Sequence, residues 1–208
     1  MVANRMNGIY LALGDSLTTG YGVGLNCSFA TLYYSTLLSG CPNLRYENLG
    51  VNGLTSSQLV DVVGQTNVQR LISQAGIITV TIGSNDLLAL GKGLVSGRLV
   101  NPELTLRDFH QNLMSLGDRI RSVNCSAVLK IASIYNPLPP LDKQTDALAY
   151  TLLKSANHTV TQMARHYRGI VVPVAKAFKG QEMLLLSSDH IHPNIAGHQV
   201  MAELFARY

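Results

Sequence analysis

The chain of 208 residues has no tryptophan, three cysteines and only 13% charged residues, about half the charged share of an ordinary soluble domain. Each shortage excludes something. Cys27, Cys41 and Cys125 are odd in number and form no Cys-x-x-Cys pair. Neither a disulfide framework nor a thiolate metal site is expected from them, and they read as plain thiols. Charge of one sign makes no run: Arg5, Lys92, Arg119, Arg121, Lys143 and Arg168 are spread along the chain, with only Arg119 and Arg121 close, so the net charge of +4 makes no stripe that would track a phosphate backbone. Nucleic acid is not an expected partner. The longest apolar stretches, residues 77–82 and 183–186 among them, fall far short of the roughly 20 residues that a transmembrane segment needs. Residues 1–7 run into 9–13 with no apolar segment of signal-peptide length, which makes a cytoplasmic location the expectation and leaves release after processing open. A P-loop, a Gly-x-Gly-x-x-Gly fingerprint and a Gly-x-Ser-x-Gly elbow are all missing.

What the chain does have is apolar material, 47% of its residues, which excludes disorder. At this length one domain over residues 1–208 is expected, burying about 70% of its unfolded surface. Short β runs at 9–13, 45–49, 77–82, 127–134 and 170–174 alternate with longer helical patterns, and that alternation predicts a parallel sheet. Ser28 opens a helical stretch with Phe29, Leu32, Tyr33 and Leu37 on one face. Thr55 with Gln58, and Thr105 with Asp108, have the spacing of capping boxes. From Thr105 onward, Leu106, Phe109, Leu113, Leu116, Ile120 and Val123 form a core-facing stripe. Patterns at 146–167 and 194–205 complete a doubly wound α/β sandwich. Residues 87–104, with Gly91, Gly93 and Gly97, and 136–144, with Pro137, Pro139 and Pro140, fit neither period. Both follow strand ends, where open α/β sheets bind ligands, so both are expected to be site walls.

Gly14-Asp15-Ser16 follows the first strand and sets Ser16 at the mouth of the sheet, although the triplet alone reads equally well as a turn. A base is offered by Asp189-His190-Ile191-His192-Pro193, just ahead of the last helix. An Asp and a His three residues apart on a tight turn bring the carboxylate to one ring nitrogen and leave the other to take a proton from Ser16. His192 is the better base, because His190 is too close to Asp189 for the same local bond. Zinc held by Asp189, His190, His192 and His198 is a minority reading, since no glutamate base or further ligand cluster accompanies them. Acyl transfer also requires hydrogen-bond donors. The segment from Asn48 to Ser56 carries Gly53 just ahead of a helix start, where its amide can point at a ligand. Gly83-Ser84-Asn85-Asp86, after the third strand, adds the side-chain amide of Asn85. Each segment alone reads as turn chemistry; together they make a site. Asp15 is expected to hold the nucleophile turn through backbone amides, and Asp86 to serve as turn structure beside the site.

These four blocks, Gly-Asp-Ser-Leu at 14–17, Asn-x-Gly-x-x-Gly-x-Thr-Ser at 48–56, Gly-Ser-Asn-Asp at 83–86 and Asp-x-x-His-Pro at 189–193, resemble the SGNH hydrolase superfamily, the GDSL lipases and esterases. They stand in the family order across nearly the whole chain. The opening run at 14–22 is most similar to the single-domain bacterial esterase, arylesterase and lysophospholipase branch, and more weakly to spore-germination lipases. The resemblance implies a flavodoxin-like three-layer α/β/α fold on a five-stranded parallel sheet. It implies Ser16 as nucleophile, His192 and Asp189 completing the triad, and an oxyanion hole from the Ser16 amide, Gly53 and Asn85, with no metal and no cofactor. The expected function is hydrolysis of short to medium acyl esters through an acyl-enzyme, with a small-molecule or lipid ester as partner. Leu87, Leu88, Leu90, Leu94, Val95, Leu138 and Leu141 favour an apolar acyl group, while packing under their own loops accounts for them equally well. Sugar-ester deacetylation stays open, as does a non-catalytic flavodoxin-like module holding an anion or nucleotide. No oligomeric state is read from the sequence.

Overall fold

A computed structural model describes residues 8–97, 99–137 and 142–208; residues 1–7, with Arg5, and Leu138, Pro139, Pro140 and Leu141 lie outside this set. β1 (Ile9–Gly14) is buried along its whole length, as an unbroken apolar run requires of a strand covered on both faces. It lies between β2 (Arg45–Gly50) and β3 (Ala75–Thr81), and β4 (Val128–Ala132) and β5 (Ile170–Val172) extend the sheet in the order β2-β1-β3-β4-β5. Every pairing is parallel.

Helices fill both faces. Successive side chains of a strand point to opposite sides, so Ile9, Leu11 and Leu13 of β1 pack into one core and Tyr10 and Ala12 into the other. The first core is closed by α3 (Ser56–Gly64), α4 (Thr66–Gln74), α6 (Pro102–Val123) and α7 (Lys143–His166), and the second by α2 (Phe29–Leu38), α8 (Val174–Phe178) and α10 (Ile195–Arg207). The result is a three-layer α/β/α sandwich. The α-helices α1 (Ser16–Thr19), α5 (Ser84–Val95) and α9 (Glu182–Leu185) stand at the carboxyl ends of strands or beside the last turn. After β1 the chain passes to α2 on one face, and after β3 to α6 on the other. The sheet therefore opens a crevice between the ends of β1 and β3. Among the described residues no helix is long and apolar enough to cross a membrane, and Cys27, Cys41 and Cys125 are free thiols.

Two expectations are corrected. The first half of 87–104 is the helix α5, not an irregular wall. Its glycines hid the helical pattern: Gly93 is there for packing, since a Cβ would come within 2.5 Å of Val100. The capping box at Thr105 is absent because the helix has begun one turn earlier. Asn101 caps it, accepting from the Glu103 and Leu104 amides at 3.0 and 3.2 Å with Pro102 in the first turn, and the Thr105 hydroxyl donates to Asn101 O. The box at Thr55 and Gln58 is present as expected.

Candidate active site

Asp15 follows β1 and caps α1. One carboxylate oxygen, Oδ1, accepts from the Leu17 amide at 3.1 Å and from the Thr81 hydroxyl at 3.0 Å, one backbone amide rather than several. The other, Oδ2, is buried with no hydrogen-bond partner among the described residues. Burial, opposed by these hydrogen bonds and by His192, raises the Asp15 carboxyl to about 6. Ser16, the next residue, opens α1 at the crevice.

His192 arrives from the other end of the chain. Its Nε2 is 3.0 Å from Ser16 Oγ and its Nδ1 is 2.6 Å from Asp189 Oδ2. The turn that carries both residues is over-determined. Asp189 Oδ1 accepts from the Ile191 and His192 amides at 2.9 and 3.0 Å, the Ser187 amide donates to His192 O at 2.7 Å, and Leu186 bridges to Pro193. Asn194 caps α10 through Gly197 N and donates from Nδ2 to Leu184 O and Leu186 O. Burial would raise the Asp189 carboxyl, but the hydrogen bonds from the His192 ring, the His192 amide and the Ile191 amide outweigh it and lower the group to about 2. With that carboxylate ionised at Nδ1–H, Nε2 is left to accept the Ser16 hydroxyl proton.

The other histidines stand apart from this contact. His190 has a left-handed backbone, φ 57, and lines a second cleft with Lys154, Lys179 and Glu182. His198 is fully buried between α10 and α2, its Nδ1 accepting from the Phe29 amide at 3.1 Å. Among the described residues no three His, Cys, Asp or Glu side chains gather as a ligand set, so the sequence-stated set of Asp189, His190, His192 and His198 is not assembled.

Asn85, on the first turn of α5, donates from Nδ2 to Leu54 O at 2.9 Å, which leaves its second N–H for a ligand. Asp86 accepts from the Ser56 amide and hydroxyl, the latter at 2.6 Å, and Asn112 donates to that hydroxyl. The Asp86 carboxyl is raised by its burial. Asn85 fastens the loop of residues 51–55 to α5 through Leu54, and Asp86 fastens the start of α3 there through Ser56. Gly53 sits on that loop in a turn (φ 77), beside the cavity rather than in its lining. Ser16, Asn85 and His192 line an apolar cavity of about 240 Å³, whose further walls include Leu17, Leu87, Leu88, Gly91, Ile134, Tyr135, Leu152 and Leu153. Of the expected wall, Leu87 and Leu88 face it; Leu90 is buried elsewhere, and the side chains of Leu94 and Val95 lie outside the described set, as Leu138 and Leu141 do.

Sequence reasoning missed Tyr135, whose hydroxyl donates to Ile191 O at 2.6 Å and so braces the turn between Asp189 and His192. Its signal was position: a buried aromatic beyond β4, next to the Asn136-Pro137 segment already marked as a wall. Thr81, a small polar residue at the end of β3, was missed likewise; Asn194, expected at the start of the last helix, is its cap.

The chain matches the GDSL-like Lipase/Acylhydrolase family over residues 12–200. It belongs to that family. It is 25% identical over 201 residues to the spore germination lipase LipC of Bacillus licheniformis, covering 93% of this chain and 92% of that protein. Among solved structures, the lipase Lip_vut3 from a goat rumen metagenome superposes with a TM-score of 0.82 at 24% identity over 96% of each chain. The acetylxylan esterase Axe2 of Geobacillus stearothermophilus gives 0.73 at 19% identity, over 96% of this chain and 93% of its own. This GDSL chain is thus a carboxylic ester hydrolase built on the family's sheet.

Proposed function

We propose that the GDSL chain hydrolyses short to medium acyl esters with a Ser16-His192-Asp189 triad and no cofactor. The observation that carries this reading is the paired contact of His192, Nε2 at 3.0 Å from Ser16 Oγ and Nδ1 at 2.6 Å from Asp189. Ser16 Oγ attacks the ester carbonyl while His192 Nε2 takes its proton, and Asp189 stabilises the imidazolium. The oxyanion that forms is met by the Ser16 amide, the Gly53 amide and the Asn85 side chain. Collapse expels the alcohol, which receives the proton from His192, and leaves an ester on Ser16. Water, deprotonated by the same nitrogen, then releases the acid and restores the hydroxyl. Asp15 and Asp86 support the two turns that carry Ser16 and the oxyanion donors. Leu87, Leu88, Leu152 and Leu153 give the acyl chain a largely apolar lining, to which Lys92 also contributes, and this suits the acyl chain of a small-molecule or lipid ester.

A fluorophosphonate probe tests this directly. Ser16 is expected to be the labelled residue, with labelling lost in Ser16→Ala and strongly reduced in His192→Ala. Hydrolysis of p-nitrophenyl esters should fall in parallel by about 10⁴-fold or more and should be indifferent to chelators. Label on another residue, or turnover that survives Ser16→Ala, overturns the assignment.

A further inference from the structure

Tyr21 belongs neither to the triad nor to the acyl cavity, yet its ring lies against the His192 imidazole, with centroids 4.5 Å apart and planes at 44°. That position is built by the backbone. Gly20 closes α1 in the left-handed conformation, φ 75, and a Cβ there would fall 2.7 Å from both Gly24 O and Ser28 Cβ. Only glycine lets the chain double back at this point. The Tyr21 amide then donates to Ser16 O at 3.0 Å, which ties the ring to the turn that carries the nucleophile. The residue nevertheless remains 48% exposed. An aromatic held this firmly and left half in water gives the core little in return.

The reaction proposed above, on which this inference rests, says what such a ring faces. His192 Nε2 returns its proton to the leaving oxygen, so the first carbons of the alcohol lie beside the imidazole that Tyr21 covers. Acyl carbons enter the cavity, whose lining does not include Tyr21. We infer that Tyr21 is a specificity-determining residue whose exposed face stacks on a flat ring carried by the alcohol, either an arene or the apolar face of a pyranose.

Three esters of one acid test it in the full chain: n-butyl hexanoate, benzyl hexanoate and a methyl glucopyranoside hexanoylated at its primary hydroxyl. The common acyl group cancels the acyl cavity and the deacylation step, so the readout is kcat/KM of each ring ester divided by that of the butyl ester. In Tyr21→Leu this ratio is expected to fall about three- to tenfold, the range of an aromatic stack, and in Tyr21→Phe to stay within about twofold of wild type. A fall for the benzyl ester identifies an arene as the ring, and one for the glucoside a pyranose. Being a ratio, it is unmoved by a general loss of folded enzyme. Ratios for both ring esters that do not change in Tyr21→Leu overturn the inference, as does a Phe variant that falls as far as Leu. A wild type that hydrolyses the butyl ester alone also overturns it. If wild type hydrolyses none of the three and Ser16 resists the fluorophosphonate, the esterase mechanism itself fails and takes this inference with it.

Discussion

Asn85 shows how much one side chain does here. One of its N–H groups holds Leu54 O at 2.9 Å, and the other is the donor that no change of pH removes. Asn85→Ala is therefore expected to lower kcat by about 10² to 10³ with little change in KM, the signature of a donor used in the transition state. Steady-state kinetics on one p-nitrophenyl ester checks it, and an unaltered kcat removes Asn85 from the oxyanion hole. At this scale the sequence was legible wherever a residue acts through neighbours close in the chain. Asp189 and His192 are three apart, and Thr55 and Gln58 form their box locally. It was opaque where a remote partner belongs to no motif: Ser16 and His192, 176 positions apart, are paired through the blocks that carry them, whereas no pattern announces the Tyr135 bond to Ile191. Thr105 misled because Asn101, four residues earlier, competes for the same role and is followed by Pro102, which is favoured in a first helical turn.

Among the elements, α5 does two things at once: one end presents Asn85, and its next turns wall the cavity beside Ser16. Two glycines in it do different things. Gly93 accommodates Val100, whereas Gly91 lines the cavity and a Cβ on it meets nothing within 4 Å. A leucine at 91 would thus grow into the cavity that the proposed mechanism gives to the acyl chain. In wild type, each methylene that finds apolar wall should raise kcat/KM about fourfold, the equivalent of about 0.8 kcal/mol, until the chain has filled the cavity. Gly91→Leu should move that plateau to shorter acids while adding up to about 1 kcal/mol of helix stability. A series of p-nitrophenyl esters from acetate upward, with urea unfolding of both proteins, reads both effects; coincident chain-length profiles would place the acyl group elsewhere. The helix was not legible because glycine lowers helical expectation whatever it is used for, and only packing shows that here it serves contact and space.

For the whole molecule, alternating strand and helix patterns foretold the layers, and the strand order follows from right-handed crossovers to both faces of a parallel sheet. What no pattern foretold is how two buried groups, Asp15 and His198, bias the response of stability to pH. Asp15 is raised to about 6 chiefly by burial. Between pH 4 and 6 the folded chain keeps a proton that the unfolded chain has lost, so this group's contribution to stability falls as pH rises through that window and stays low above it. His198 is the reverse. Burial, helped by His192, lowers it to about 4, so between pH 4 and 6.5 the unfolded chain binds a proton that the folded chain excludes. Its contribution grows as pH rises and is complete above 6.5. Each effect amounts to about 3 kcal/mol, and over the shared window they oppose one another. Removing either should expose the other. The unfolding free energy of Asp15→Asn relative to wild type is expected to increase by about 3 kcal/mol from pH 4 to pH 7, and that of His198→Gln to decrease by a similar amount. Urea titrations at four pH values across that range measure both differences. Curves that run parallel to wild type would mean that neither group is held away from its ordinary protonation in the folded chain, and that the unpartnered atoms of Asp15 and His198 are reached by water.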